Sequence, residues 1–282
     1  MFEVLVQMAG LILCGVGWRL FRPAGLEPVQ TRKVLTSLVY YLLLPALVLS
    51  VLWKAELGGT TLLIALSAAF GVLAGLLLSA LSCRACKSRP AVTGAVILAA
   101  TFPNATYLGL PVLEAAFGPW ARGVAIQYDL FACTPLLFTL GVVVAARYGT
   151  AETPVRSTAV EVLRIPALWA ALAATVLNLA EVPIPSVLGG LLGLLERGVV
   201  PLMLFSLGLS LEWNRAQRRN LASVIPVIVL RLLLVPALTL VFTGLIGLSG
   251  EWRAAVVMES AMPSMVLGIV FCDRFNLDVS LY

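Results

Sequence analysis

This sequence predicts an all-α fold of the polytopic membrane class, and three observations predict it. Hydrophobic residues fill 61% of the 282 positions and charged residues only 12%, against roughly 45–50% apolar and about 25% charged in soluble domains. No polar stretch exceeds about twenty residues, so no large soluble domain fits. Lys and Arg cluster in alternate loops, as they do in a chain that crosses a bilayer many times.

A span needs about twenty apolar residues, and nine candidates follow one another along the chain. They run Val4–Phe21, Val34–Trp53, Thr61–Leu81, Val92–Phe117, Gly123–Ala146, Ile165–Leu179, Ser186–Leu211, Val224–Leu248 and Arg253–Cys272. The first lacks a basic leader and a small-residue cleavage site, so it reads as a retained span. The loops after spans 1, 3, 5 and 7 hold Arg22, Arg32 and Lys33; Arg84, Lys87 and Arg89; Arg147, Arg156 and Arg164; and Arg215, Arg218 and Arg219. The alternate loops hold only Lys54, Arg122 and Arg253. The positive-inside rule therefore expects an inner (plasma) membrane protein with its N-terminus outside and its basic loops cytoplasmic.

Composition excludes several chemistries. Histidine is absent, which removes His-ligated zinc and Ser–His or Cys–His catalysis. Among the five cysteines only Cys83 and Cys86 form a CxxC, and a metal site there would want more ligands. No P-loop occurs. The net charge of +5 comes from loop residues that membrane orientation already explains, so no nucleic-acid partner is expected. No cofactor or metal is expected.

The stretch 99–118, AATFPNATYLGLPVLEAAFG, stands apart. Pro103 and Pro111 each remove a helical hydrogen bond, and a bilayer has no water to satisfy the freed carbonyls. Such a break survives only inside protein or beside a water-filled cavity, so it reads as an interrupted helix on a solute path. The plain alternative is a proline kink.

An internal repeat favours the first reading. Pro45 in YYLLLPALVLSVL corresponds to Pro201 in RGVVPLMLFSLGL, and Leu108-Gly109 corresponds to Leu267-Gly268 in MPSMVLGIVF. Both offsets are near 160 residues, about five spans. An odd number of spans inverts the second copy, and inverted repeats with matching broken helices point to a transporter site. Residues 1–147 are thus expected to form the first five-helix repeat, 148–164 a cytoplasmic loop, and 165–282 a second repeat of four helices. A tenth helix is expected to be missing.

These residues resemble the auxin efflux carrier family. FPNATYLGLPVLEAAFG is similar to that family's LPN-x-x-x-x-G-[IL]-P-L-L pattern, LVYYLLLPALVLSVL to its second helix, VPLMLFSLGLSL to its seventh, RLLLVPALTL to its eighth and AMPSMVLGIVF to its ninth. The resemblance implies the fold of bile-acid symporters and sodium–proton antiporters. Two inverted five-helix repeats cross their broken fourth and ninth helices near the midplane. Helices 1, 2, 6 and 7 form a scaffold, often a dimer interface, and the rest a moving core. It also implies transport of organic anions, with short loops favouring bacterial-type dicarboxylate carriers over auxin carriers.

Half-helix N-termini supply free amides and partial positive charge that suit a carboxylate. The expected substrate-binding residues are Asn104, Ala105 and Thr106 at one break, Pro263, Ser264 and Met265 at the other, and Gln127. Pro103, Pro111 and Pro263 are the expected helix breaks. Gly109 and Gly268 are expected to allow close helix approach. A charge near the bilayer centre costs about 3 kcal/mol or more, so Glu259, Asp129 and Arg231 are expected to couple transport to a proton or sodium. The structural alternative is a Glu259–Arg231 ion pair. Glu114 is expected at the outer headgroups, and Glu196 and Arg197 at the scaffold. Two other classes are open: a receptor or sensor of the same fold, and an intramembrane hydrolase using Ser260 or Ser264 with Glu259, for which no histidine or nearby lysine serves as base. The expectation is a secondary transporter of a small organic anion, homodimeric, and not an enzyme.

Overall fold

Helices α1 (Phe2–Phe21), α2 (Pro28–Lys54), α3 (Gly59–Cys86), α4 (Pro90–Thr101), α5 (Ala105–Phe117), α6 (Ala121–Tyr148), α7 (Pro166–Leu179), α8 (Ser186–Ser210), α9 (Val224–Leu245), α10 (Gly250–Ser260) and α11 (Gly268–Arg274) account for the nine expected spans. The fourth span is divided into α4 and α5, and the ninth into α10 and α11. The structure is a computed structural model that describes residues 2–55, 57–86, 88–150, 165–211 and 221–282. Lys87, Arg156, Arg164, Arg215, Arg218 and Arg219 of the orienting loops lie outside these residues, as does most of the 148–164 loop. Among the described residues five helices, α2, α3, α6, α8 and α9, are long and apolar enough to cross a membrane.

Most in-span prolines leave their helix continuous. Widened five-residue turns at Val39–Leu43, Ala105–Gly109, Asp129–Cys133 and Leu230–Leu234 each end two residues before a proline: Pro45, Pro111, Pro135 and Pro236. A proline cannot donate, and its ring collides with the carbonyl four residues back. A turn with one extra residue moves that carbonyl aside and preserves the helix. Pro111, expected as a break, is passed in this way, so α5 is continuous from Ala105 to Phe117.

The chain divides into two compact units that interleave along the sequence. Unit 1 comprises Met1–Leu57, Leu110–Ile126 and Ile165–Trp213, and unit 2 comprises Gly58–Gly109, Gln127–Arg164 and Asn214–Tyr282. The four helices that the resemblance assigns to a scaffold, here α1, α2, α7 and α8, fall together in unit 1.

Within unit 1, α1 packs closely on α8. A β-carbon at Gly15 would come within 2.9 Å of the Gly208 Cα, and small residues of this kind let membrane helices approach. Trp18 meets Phe205 edge-on at 5.7 Å, and Arg19 donates to the Leu209 carbonyl at 2.9 Å. The C-terminal end of α2 is closed by Asn178 of α7, whose amide donates to the carbonyls of Leu52, Trp53 and Ala55 at 3.2, 2.9 and 2.8 Å.

Within unit 2, α3 is the central packing helix. Phe70 stacks on Phe242 of α9 at 4.1 Å, and Gly75 lies so close to the end of α4 that a β-carbon would sit 3.0 Å from the Ala100 carbonyl oxygen. Both helix breaks belong to this unit.

Candidate functional site

The first break begins where α4 ends at Thr101. A residue preceding proline is driven out of helical geometry, and Phe102 is extended, with φ −103° and ψ 116°. The second begins after Ser260, and Pro263 lies three residues beyond it. The two connectors run antiparallel and pair, Pro103 opposite Ser264. Asn104 N donates to Pro263 O at 2.7 Å and Met265 N to Phe102 O at 2.9 Å. The Ser264 hydroxyl donates to Ala99 O, inside α4, at 2.8 Å. Backbone groups freed by one break are thus satisfied by the other, as buried peptide groups must be.

Arg231 of α9 closes the opposite account. It is buried, and its guanidinium donates to four main-chain carbonyls: Met262 from Nε at 2.9 Å, Thr101 and Ala100 from Nη1 at 3.1 and 3.5 Å, and Ser260 from Nη2 at 2.7 Å. These carbonyls lie at or just beyond the C-terminal ends of α4 and α10, where helix dipoles leave partial negative charge. The alternative reading, an ion pair with Glu259, is not formed: every donating contact of Arg231 among the described residues goes to a carbonyl. Backbone carbonyls at two helix ends outcompete a carboxylate, because the fork-shaped guanidinium satisfies several fixed acceptors at once.

On the far side of the first break, α5 opens at Ala105. The Asn104 carbonyl accepts from Leu108 N at 3.3 Å and Gly109 N at 3.0 Å. The amides of Ala105 and Thr106, the first two of this half-helix, have no main-chain acceptor among the described residues. The site therefore differs from the one the sequence suggests. The Asn104 and Met265 amides are consumed by the pairing. Pro263, Ser264 and Met265 form an extended connector rather than the first turn of α11, which begins only at Gly268. Pro263 is exposed, whereas Asn104, Ala105, Thr106 and Met265 are buried.

Two buried acids flank this half-helix. Asp129 of α6 accepts from Thr106 at Oδ2 and from Thr134 at Oδ1, the latter at 2.8 Å. Glu259, in the last turn of α10, is fully buried, and neither carboxylate oxygen has a hydrogen-bond partner among the described residues. Its carboxylate lies against Gly109, where a β-carbon would collide with it. Gly268 likewise makes room for the ring of Tyr282, whose hydroxyl donates to Met265 O at 2.6 Å. Gln127 is buried with Oε1 unpartnered.

Thr134, which donates to Asp129, is the side chain of this cluster that the sequence alone does not disclose. Five residues along a regular helix points to another face, but the widened turn Asp129–Cys133 stacks residues 129 and 134. The signal available was Thr134-Pro135, a hydroxyl just ahead of a proline that forces such a turn.

The other charges singled out from the sequence, Glu114, Glu196 and Arg197, belong to unit 1. Arg122 reaches Glu114 at 3.7 Å and Glu196 at 3.4 Å, and Arg197 is exposed. The hydroxyl of Ser260, the candidate nucleophile, donates to Val257 O at 2.7 Å within its own turn. Cys83 is buried, Cys86 exposed, and both are free thiols.

Five membrane-length apolar helices and two mutually bonded helix breaks are features of a membrane transporter. Over residues 3–282 the chain matches the family described as Membrane transport protein, and it belongs to that family, the auxin efflux carriers. It is 30% identical to an uncharacterized transporter of Methanothermobacter thermautotrophicus, over 99% of this chain and 90% of the relative. It is 26% identical to an uncharacterized transporter of Methanocaldococcus jannaschii, over 99% and 91%.

Proposed function

We propose that this protein is a secondary transporter of small organic anions, such as dicarboxylates, working by alternating access and coupled to a proton or sodium. One observation carries the reading: the break at Pro103–Asn104 is bonded to the break at Pro263–Ser264, beside a half-helix that offers the Ala105 and Thr106 amides. Helix N-termini bind anions without a lysine in the site. A buried Arg committed to carbonyls leaves the substrate to those amides, with Asn104, Thr106 and Gln127 supplying polar groups.

Asp129 and Glu259 are the coupling residues in this reading, and Arg231 holds the two half-helices. Two inverted five-helix repeats would place the breaks opposite each other, and their antiparallel pairing supports that arrangement. The basic loops favour an N-terminus outside the cell and an inner-membrane location. The family resemblance favours a homodimer.

The test is counterflow of labelled malate or malonate in vesicles containing the purified protein, against an unlabelled carboxylate panel. Saturable counterflow, reduced at least tenfold by Asn104→Ala, is expected. Absence of counterflow across the whole panel overturns the reading.

A further inference from the structure

The Glu259 carboxylate makes no hydrogen bond that would hold the fold: it is fully buried, meets no donor among the described residues and faces the first turn of α5 across Gly109. An ionised carboxylate without donors in such a place would cost several kcal/mol. Asp129 is the opposite case, since hydroxyls of Thr106 and Thr134 serve both its oxygens as they would an anion's. With Arg231 cationic and Asp129 anionic, the cluster is neutral only if Glu259 carries a proton. The ionisable groups that face Glu259 are Asp129, Tyr128 and Cys133 from α6 and Arg231 from α9. The α5 half-helix itself carries Tyr107. The helix α3, which also packs on α10, has no ionisable residue between Gly59 and Cys83, and the part of α9 from Val235 to Leu245 has none.

We propose that Glu259 and the substrate carboxylate compete for the same positive half-helix end, so that the anion binds only when Glu259 is protonated. This rests on the transport reading above. The proton that neutralises Glu259 comes from water on the loading side. When the substrate leaves, Glu259 gives that proton to water on the other side, and its carboxylate turns to the vacated Ala105 and Thr106 amides. One proton therefore travels with each bound anion in the same direction, as symport. Gly109 is the seat that lets one carboxyl group occupy this end while the other is away.

Counterflow of malonate across a pH series, with the probe's carboxyls fully ionised throughout and no sodium present, tests the idea. Wild-type protein is expected to lose apparent affinity by about tenfold per pH unit on the alkaline limb, the slope of a single obligatory proton. Glu259→Gln is expected to flatten that slope, whatever its absolute rate. Affinity that is independent of pH, or that requires sodium at fixed pH, overturns the coupling while leaving the transport reading standing. No counterflow at any pH overturns both. If Glu259→Gln does not assemble, the wild-type slope alone decides.

Discussion

The carboxylate of Glu259 lies against the Cα of Gly109, in the volume a β-carbon would fill. Glycine at this position is therefore a packing requirement between α10 and α5.

Gly109→Ala is expected to overpack the site at a cost of about 1–3 kcal/mol and to reduce counterflow at least tenfold. Gly10→Ala supplies the contrast, because nothing lies within 4 Å of a β-carbon there. Relieving a mid-helix glycine stabilises by about 0.5–1 kcal/mol. Thermal unfolding in detergent, read beside flux, should move in opposite directions for the two variants.

Removing the Arg231 guanidinium strands four buried carbonyls at the ends of two half-helices. Arg231→Met is expected to cost about 3–5 kcal/mol, as for other broken buried charge contacts. Arg231→Lys, whose single ammonium reaches fewer carbonyls, should fall between. Melting temperature and monodispersity on size exclusion measure both, and a wild-type melt for Arg231→Met would refute the clamp.

Thr134→Val takes one of two hydroxyl donors from Asp129. A hydrogen bond to a charged group contributes about 1.5–3 kcal/mol, so stability should fall by that order. Made on an Asp129→Asn background, the same change should cost markedly less. A double-mutant cycle by chemical denaturation gives the coupling directly.

Asn178→Ala uncovers the carbonyls of Leu52, Trp53 and Ala55 in unit 1. A stability loss of about 1–3 kcal/mol is expected, with substrate KM unchanged. A shifted KM would mean that the α2 cap also shapes the site.

The spans were legible because membrane helices announce themselves by composition, and α1 through α11 fall where apolar runs fall. Both breaks were legible as well, since Pro103 and Pro263 sit among polar or small residues inside such runs. The fate of Pro111 was not, because a widened turn and a true break begin from the same proline. The alternative pairing of Arg231 fails for a related reason. Sequence offers a buried cation and a buried anion, Glu259, and suggests pairing them, whereas the strongest acceptors were main-chain carbonyls that exist only once two helices have stopped. Thr134 was hidden by the same widened turns, each of which shifts the side-chain phase by one residue.

Because two main-chain hydrogen bonds stitch the connectors together and one guanidinium grips both helix ends behind them, a swing of either connector alone would break these contacts. Under the proposed transport cycle, the paired connectors would travel as undivided cargo. Pro103 and Pro263 would then be fixed masonry rather than joints.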